Sequence, residues 1–215
     1  MPTTNGLDAS FELTKHAIAL KAQSIDFVMR YYSHNATKNL SLAEARALSD
    51  AGLEIGVVWE TSGTHSGFFN RLQGLADGSA AYQLAANSIG QPAGSTIYFA
   101  VDYDPSLADI NSPISAYFSG ISDAFDTASN GASSYRIGVY GSGLCCKTLL
   151  ANKLAEMSWL SQSTGFAGSK DYASSQSYNL IQYLPTKITV DDGDSLSVDL
   201  DATNGARPAG LFTIL

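Results

Sequence analysis

"TIYFAVDYDP", residues 96–105, reads as a buried β-strand that ends in two carboxylates. Thr96 to Val101 are β-branched, aromatic or small and apolar, the composition of a strand covered on both faces. Asp102 and Asp104 then place like charges at its end, before Pro105 breaks the run. A strand covered on both faces lies in a sheet flanked by helices, so the sequence around it decides the architecture.

Upstream of it, β-like runs occur at "NGLDAS" (5–10), "IDFVMRYYS" (25–33) and "LEIGVVWE" (53–60). Downstream come "YRIGVYG" (135–141), "EMSWLSQS" (156–163), "SYNLIQYL" (177–184) and "SLSVDLDA" (195–202). Apolar residues at helical spacing fill residues 11–23, a long Ala-rich stretch ending near Gly90, residues 110–128 and Leu144–Lys153. The sharpest helix signal starts at Ser41, with Glu44 three residues on as a capping box and Gly52 as the stop.

Eight strands, the first several alternating with helices, predict an α/β protein. The expected fold is an irregular TIM-like (β/α) barrel with eight mainly parallel strands and fewer helices in the C-terminal part. A length of 215 residues suits one such domain over 1–215. The competing open, doubly wound sheet lacks its fingerprint, since no G-x-G-x-x-G follows the first strand and no phosphate-binding G-x-x-x-x-G-K-[ST] occurs.

Composition narrows the function. Twelve Lys and Arg against 20 Asp and Glu give a net charge of −8 without a basic cluster, which argues against nucleic acid as partner. No apolar run is long enough to cross a bilayer, and "MPTTNGLDAS" has neither the basic nor the apolar region of a classical signal peptide. A soluble monomer is expected, and any secretion would follow a non-classical route. Cys145 and Cys146 are adjacent, so a bridge between them is strained and they read as small buried hydrophobes.

In a parallel barrel the reacting groups sit at the strand C-terminal ends. Those ends read Asp8; Arg30 and Tyr32; Trp59 and Glu60; Asp102 and Asp104; Tyr140; Trp159 and Gln162; Gln182; Asp199 and Asp201. Side chains alternate with period two, so Asp102 with Asp104, and Asp199 with Asp201, are expected to face one pocket, as are Arg30 and Tyr32. Any one of these Asp residues, taken alone, reads better as a helix cap or turn former, and "DYDP" reads well as a turn. Together they read as a site. Crowded carboxylates cannot all ionise, so a protonated donor stands beside an anion, the pair that glycosidic cleavage uses. Trp59, Tyr140 and Trp159 would offer faces to sugar rings.

Other chemistries have weaker signals. "VDDGDSLSVDLD" (190–201) is rich in oxygen ligands but does not fit an EF-hand, and "DDGD" reads as a solvated turn. His16, His34 and His65 form no zinc motif, and "GSG" at 141–143 is not a nucleophile elbow. No metal or cofactor is expected.

"GLDAS", "YFAVDYD", "RIGVYGSG", "SWLSQSTG", "NLIQY" and "VDLDATNG" together resemble the glycoside-hydrolase-like domains of the Rv2525c-like type, from about Gly6 to Gly205. That family is similar to the family 25 glycoside hydrolases, the Chalaropsis-type muramidases. The resemblance implies an acidic groove at the strand C-terminal ends and cleavage of the β-1,4 link after N-acetylmuramic acid in peptidoglycan. By the same resemblance the muramidase carboxylates carry over as Asp8, Asp102, Asp104 in the donor's place, and Asp199 or Asp201. Asp104 stands where the muramidases have Glu, one methylene longer, so Glu60 is the alternative donor. Gln162 and Gln182 are expected to bond sugar hydroxyls or acetamido groups. The sequence-level expectation is therefore a glycosidase of peptidoglycan or a related N-acetylated glycan. Its alternatives are an inactive glycan-binding relative with the same groove and a metal-dependent phosphodiesterase.

Overall fold

The computed structural model describes residues 2–132, 134–190 and 193–214. Eight strands close a barrel in sequence order: β1 Asn5–Asp8, β2 Phe27–Tyr32, β3 Glu54–Trp59, β4 Thr96–Ala100, β5 Arg136–Gly141, β6 Met157–Leu160, β7 Leu180–Thr189 and β8 Ser195–Thr203. Neighbours from β1 through β7 pair in parallel. Strand β8 runs against both β7 and β1. The expected irregular, mainly parallel barrel is the one observed.

Helices cover the outside: α1 Ala17–Ala22, α2 Leu42–Asp50, α3 Arg71–Gln83, α4 Leu107–Asp109, α5 Ser115–Ser129, α6 Gly143–Ala151 and α7 Ser169–Ser174. The Ala-rich stretch is α3 continued by a π-helical turn, Leu84–Ile89, and it stops at Gly90 in the left-handed conformation, φ 70°. Helices α3 and α5 approach closely through Gly74 and Gly120, where a methyl group on either would overlap the other helix's backbone. Among the described residues only the six-residue α7 lies as an α-helix beyond β6, and β7 meets β8 as an antiparallel ribbon, so the helical layer thins at the C-terminal side.

Two apolar zones result. Phe27, Met29, Val58, Tyr98, Ala100, Met157, Trp159 and Leu180 fill the barrel interior, while alternate residues such as Leu7, Val28, Ile55, Val57, Ile97 and Phe99 pack outward under the helices.

Strand β2 departs from the expected parity. Phe27, Met29 and Tyr31 face inward, so Arg30 and Tyr32 point to the helix layer and not to a pocket. Arg30 is fully buried there, its Nε donating to Glu44 Oε1 at 2.7 Å and its Nη2 to Glu44 Oε2 at 3.1 Å. Its Nη1 donates to the Ala9 carbonyl, and Glu44 Oε1 also accepts from the Leu13 amide at 2.8 Å. The pair thus fastens the β1–α1 connection to β2 and α2. Tyr32 is buried too, its hydroxyl donating to Gln91 Oε1 at 2.9 Å.

The capping expectation at α2 is met by half. Ser41 Oγ accepts from the Glu44 amide, but the Glu44 carboxylate is drawn to Arg30 instead of returning to the cap. Removing one partner leaves an uncompensated buried charge, so Glu44→Ala should destabilise the protein by roughly 3–5 kcal/mol, read by urea unfolding. A loss within the range of exposed ion pairs, under about 1 kcal/mol, would contradict the buried clamp.

Candidate active site

Inward-facing residues at the barrel mouth surround a cavity of about 190 Å³ lined by Tyr31, Val58, Glu60, Asp102, Tyr140, Trp159, Gln162, Gln182 and Asp199. A second hollow of about 230 Å³, bordered by Asp8, Ser10 and Pro185, shares Tyr31 and Asp199 with it, so the two form one groove. A larger cavity, about 840 Å³, lies elsewhere, between α2, residues 86–95 and residues 211–214, with Arg46 its one ionisable side chain. It lacks the chemistry of the mouth.

Register explains how distant residues meet. Asp8 sits opposite Asp199, and Gly6 opposite Asp201. Because β8 is antiparallel, Asp199 is at the mouth and Asp201 one layer deeper, the reverse of their order on a parallel strand. Asp8 Oδ1 accepts from the Tyr31 hydroxyl at 2.9 Å, and Oδ2 from Gln182 Nε2 at 2.7 Å. Gln182 Nε2 also donates to Asp199 Oδ2 at 3.2 Å, while its Oε1 accepts from the Tyr140 hydroxyl at 2.8 Å. Gln162 Nε2 reaches Asp199 Oδ2 at 3.4 Å.

Asp201 is 2% exposed and accepts from Trp159 Nε1 at 2.8 Å, leaving its Oδ2 without a donor. Burial first, then the neighbouring Asp8, pushes its carboxyl well above the usual range, which favours its protonated form. Asp8 is pushed up to about 6, by burial foremost and by the charge of Asp199, against its bonds from Gln182 and Tyr31. Asp199 is raised by burial.

On the opposite wall, Asp102 is raised by burial and then by the Glu60 charge, with Lys38 working against both. Among the described residues no side chain hydrogen-bonds its carboxylate. Glu60 Oε1 accepts from Lys38 Nζ at 2.7 Å, and that ammonium lies 4.7 Å from the Tyr31 ring centre.

Asp8, Glu60, Asp102, Tyr140, Trp159, Gln162, Gln182, Asp199 and Asp201 are therefore gathered as expected. Four predicted residues are not. Arg30 and Tyr32 are held in the helix layer. Trp59 also points outward, 2% exposed and edge-on to His34, and offers no ring face to a sugar. Asp104 falls in the loop after β4, where its Oδ1 accepts from the Ala167 amide at 2.8 Å. The strand ends at Ala100, so period-two alternation does not extend to Asp104.

Trp159 lines the cavity but is 1% exposed and edge-on to Tyr140 at 4.8 Å; it forms floor, not a stacking platform. Tyr31 and Lys38 were missed: Tyr31 because both faces of β2 are buried, which erases the alternation that would set its parity, and Lys38 because it lies in a connection. The turn expected at "DDGD" includes Asp191 and Asp192, which lie outside the described residues. Among the described residues no three His, Cys, Asp or Glu side chains are arranged to hold a metal ion.

A closed β/α barrel with a carboxylate-lined mouth places the protein in the glycoside hydrolase-like class. Residues 18–204 match the family model of the Rv2525c-like, glycoside hydrolase-like domain, and the chain belongs to that family. The Bacillus subtilis (strain 168) protein FadG is 32% identical over 197 residues, 88% of this chain and 33% of FadG. The chain spans about a third of the length of the curated relatives it matches. Among solved structures, the Mycobacterium tuberculosis Tat-secreted protein Rv2525c superposes with TM-score 0.72 at 22% identity, covering 92% of this chain and 94% of that one. The catalytic domain of endolysin ply40, from bacteriophage P40 of Listeria monocytogenes, gives 0.57 at 17% identity, covering 95% of each. These structural likenesses concern the fold.

Folded Asp8 keeps its proton up to about pH 6, whereas its ordinary value is 3.8. Between these values the folded state binds more protons than the unfolded, so Asp8 makes stability fall as pH rises through the window, on the order of 3 kcal/mol when complete. Asp8→Asn removes this term. Relative to wild type, the variant should gain stability by that order between about pH 4 and about pH 7 in urea unfolding; a pH-independent difference would contradict the buried, proton-holding Asp8.

Proposed function

We propose that this domain cleaves a hexosamine glycan, peptidoglycan or a related N-acetylated polymer, by carboxylate acid/base chemistry at the barrel mouth. The observation that carries the reading is the convergence of Asp8, Glu60, Asp102 and Asp199, at the ends of β1, β3 and β4 and on β8, on one groove. Fold likeness to an endolysin catalytic domain supports it.

Asp102 is the proton donor in this reading. Burial and the Glu60 charge favour its protonated form, and no side chain competes for that proton. Glu60, tied to Lys38, is the neighbouring side chain. Asp199, with Asp8 behind it, is the anion that stabilises positive charge at the anomeric carbon; Gln182, bridging the two, fixes their orientation. Because Asp102 acts as an acid, cleavage falls away as pH rises through its elevated value.

One observation favours a second reading, glycan binding without cleavage. Asp104, which the muramidase resemblance puts in the donor's place, is bonded to the Ala167 amide and lies outside the pocket.

Zymography on peptidoglycan separates the two. Wild type should clear the substrate, Asp102→Asn should slow clearing by on the order of a hundredfold or more, and Asp104→Asn should clear like wild type. Binding without clearing by wild type would establish the second reading, and full activity in Asp102→Asn would overturn the assignment of the donor.

A further inference from the structure

A cavity of about 620 Å³, a volume typical of small-molecule sites, lies on the flank of the barrel between α6, α7 and Arg207 in the segment after β8. Its walls are one face of each helix. Gly143, Leu144, Lys147 and Leu150 on α6, and Gly168, Asp171, Tyr172 and Ser175 on and beside α7, recur at the spacing that stacks side chains on a single stripe.

A glycine contact sets the shape. A methyl group at Gly143 would overlap the Gly168 carbonyl, and one at Gly168, where φ is 70°, would press on the Leu144 amide. The two helix starts are therefore pinned together, the Leu144 amide donating to the Ala167 carbonyl at 2.8 Å and the Gly143 amide to Ser169 Oγ at 3.0 Å. Asp104 belongs to the same knot, since its Oδ1 accepts from the Ala167 amide. The first amides of α6 are spent on this contact, so any ligand must be met by side chains.

Those side chains divide into an apolar floor and a cationic rim. Leu144, Leu150 and the Tyr172 ring form the floor; the Tyr172 hydroxyl lies 2.9 Å from Ser158 Oγ and donates to the Ser177 carbonyl at 3.2 Å, which fixes the ring. Lys147 and Arg207 are exposed, and among the described residues neither is within ion-pair distance of a carboxylate. Asp171 is the one acidic group on the walls. In a chain of net charge −8, two unpaired cations over an apolar floor suit an anion with an apolar body. A metal ion would meet the wrong charge there, and a neutral sugar would leave both cations unanswered. A carboxylate matches the guanidinium fork in two parallel bonds.

We infer that the flank cavity binds a short peptide with a free carboxylate, the branch that peptidoglycan carries beside its glycan chain. The cavity begins at Gly143, three residues beyond Tyr140 of the mouth, so a branch leaving the mouth meets it first at that end. The inference rests on the glycan reading for the source of the peptide and adds a second point of contact for the same substrate.

Soluble disaccharide–peptide fragments of peptidoglycan, with their carboxylates free or converted to amides, are titrated into the protein and followed by amide NMR. The free acid should shift the amides of Leu144, Lys147, Tyr172 and Ser175, and should bind at least about tenfold more tightly than the amidated form at low salt. The double variant Lys147→Ala, Arg207→Ala should lose that difference, while Lys187→Ala, an exposed lysine on β7, should keep it. Equal affinity of the two forms, shifts confined to the mouth, or the same loss in Lys187→Ala, which would reduce the effect to overall charge, would overturn the inference. Zymography on peptidoglycan keeps the two readings apart. Acid preference at the flank without clearing leaves the peptide site standing and removes the hydrolase reading; clearing without acid preference does the reverse.

Discussion

The structure depends on how its last strand closes the barrel. Strand β8 inserts antiparallel between β7 and β1, and its register sets Asp199 opposite Asp8 and Asp201 opposite both Gly6 and Gln182. Reversal of the strand exchanges the depths of the two Asp residues. It leaves Asp199 in the groove and buries Asp201 under it, beside Trp159, where a charge is costly and the protonated form is favoured. A parallel final strand would have put the buried acid at the surface and the groove acid in the core.

From this closure follows a separation of charges. Outside the barrel, Arg30 and Glu44 neutralise each other within the helix layer. At the mouth, carboxylates outnumber cations, and the Tyr31 hydroxyl and the Gln182 amide are engaged in holding Asp8 and Asp199 in place. Gln182 is the centre of that arrangement, since one side chain joins Asp8, Asp199 and Tyr140.

The eight strands were legible in the sequence because each is a short apolar run between turn residues or helical stretches, and the barrel followed from their number and length. Parity was not. On strands buried on both faces, such as "FVMRYY" and "EIGVVW", apolar residues occupy alternate positions indifferently, so Arg30, Tyr32 and Trp59 read as pocket residues when the register turns them outward. Asp102 was legible because the strand nearly reaches it; Asp104 was not, because its bond to Ala167 spans 63 residues. Asp199 was placed at the mouth by a rule for parallel strands that β8 does not obey, and it arrives there because the reversed strand still presents every second residue inward. Lys38 carried no periodic signal at all.

The central claim is that one acidic groove, assembled by strand closure, receives the glycan. A crystal structure with a hexosamine oligosaccharide tests it most directly. The account predicts sugar density across Tyr31, Asp102, Tyr140 and Asp199, with a glycosidic oxygen within hydrogen-bond reach of the Asp102 carboxyl. Sugar bound instead in the cavity between α2 and residues 211–214, with the mouth holding only solvent, would contradict it.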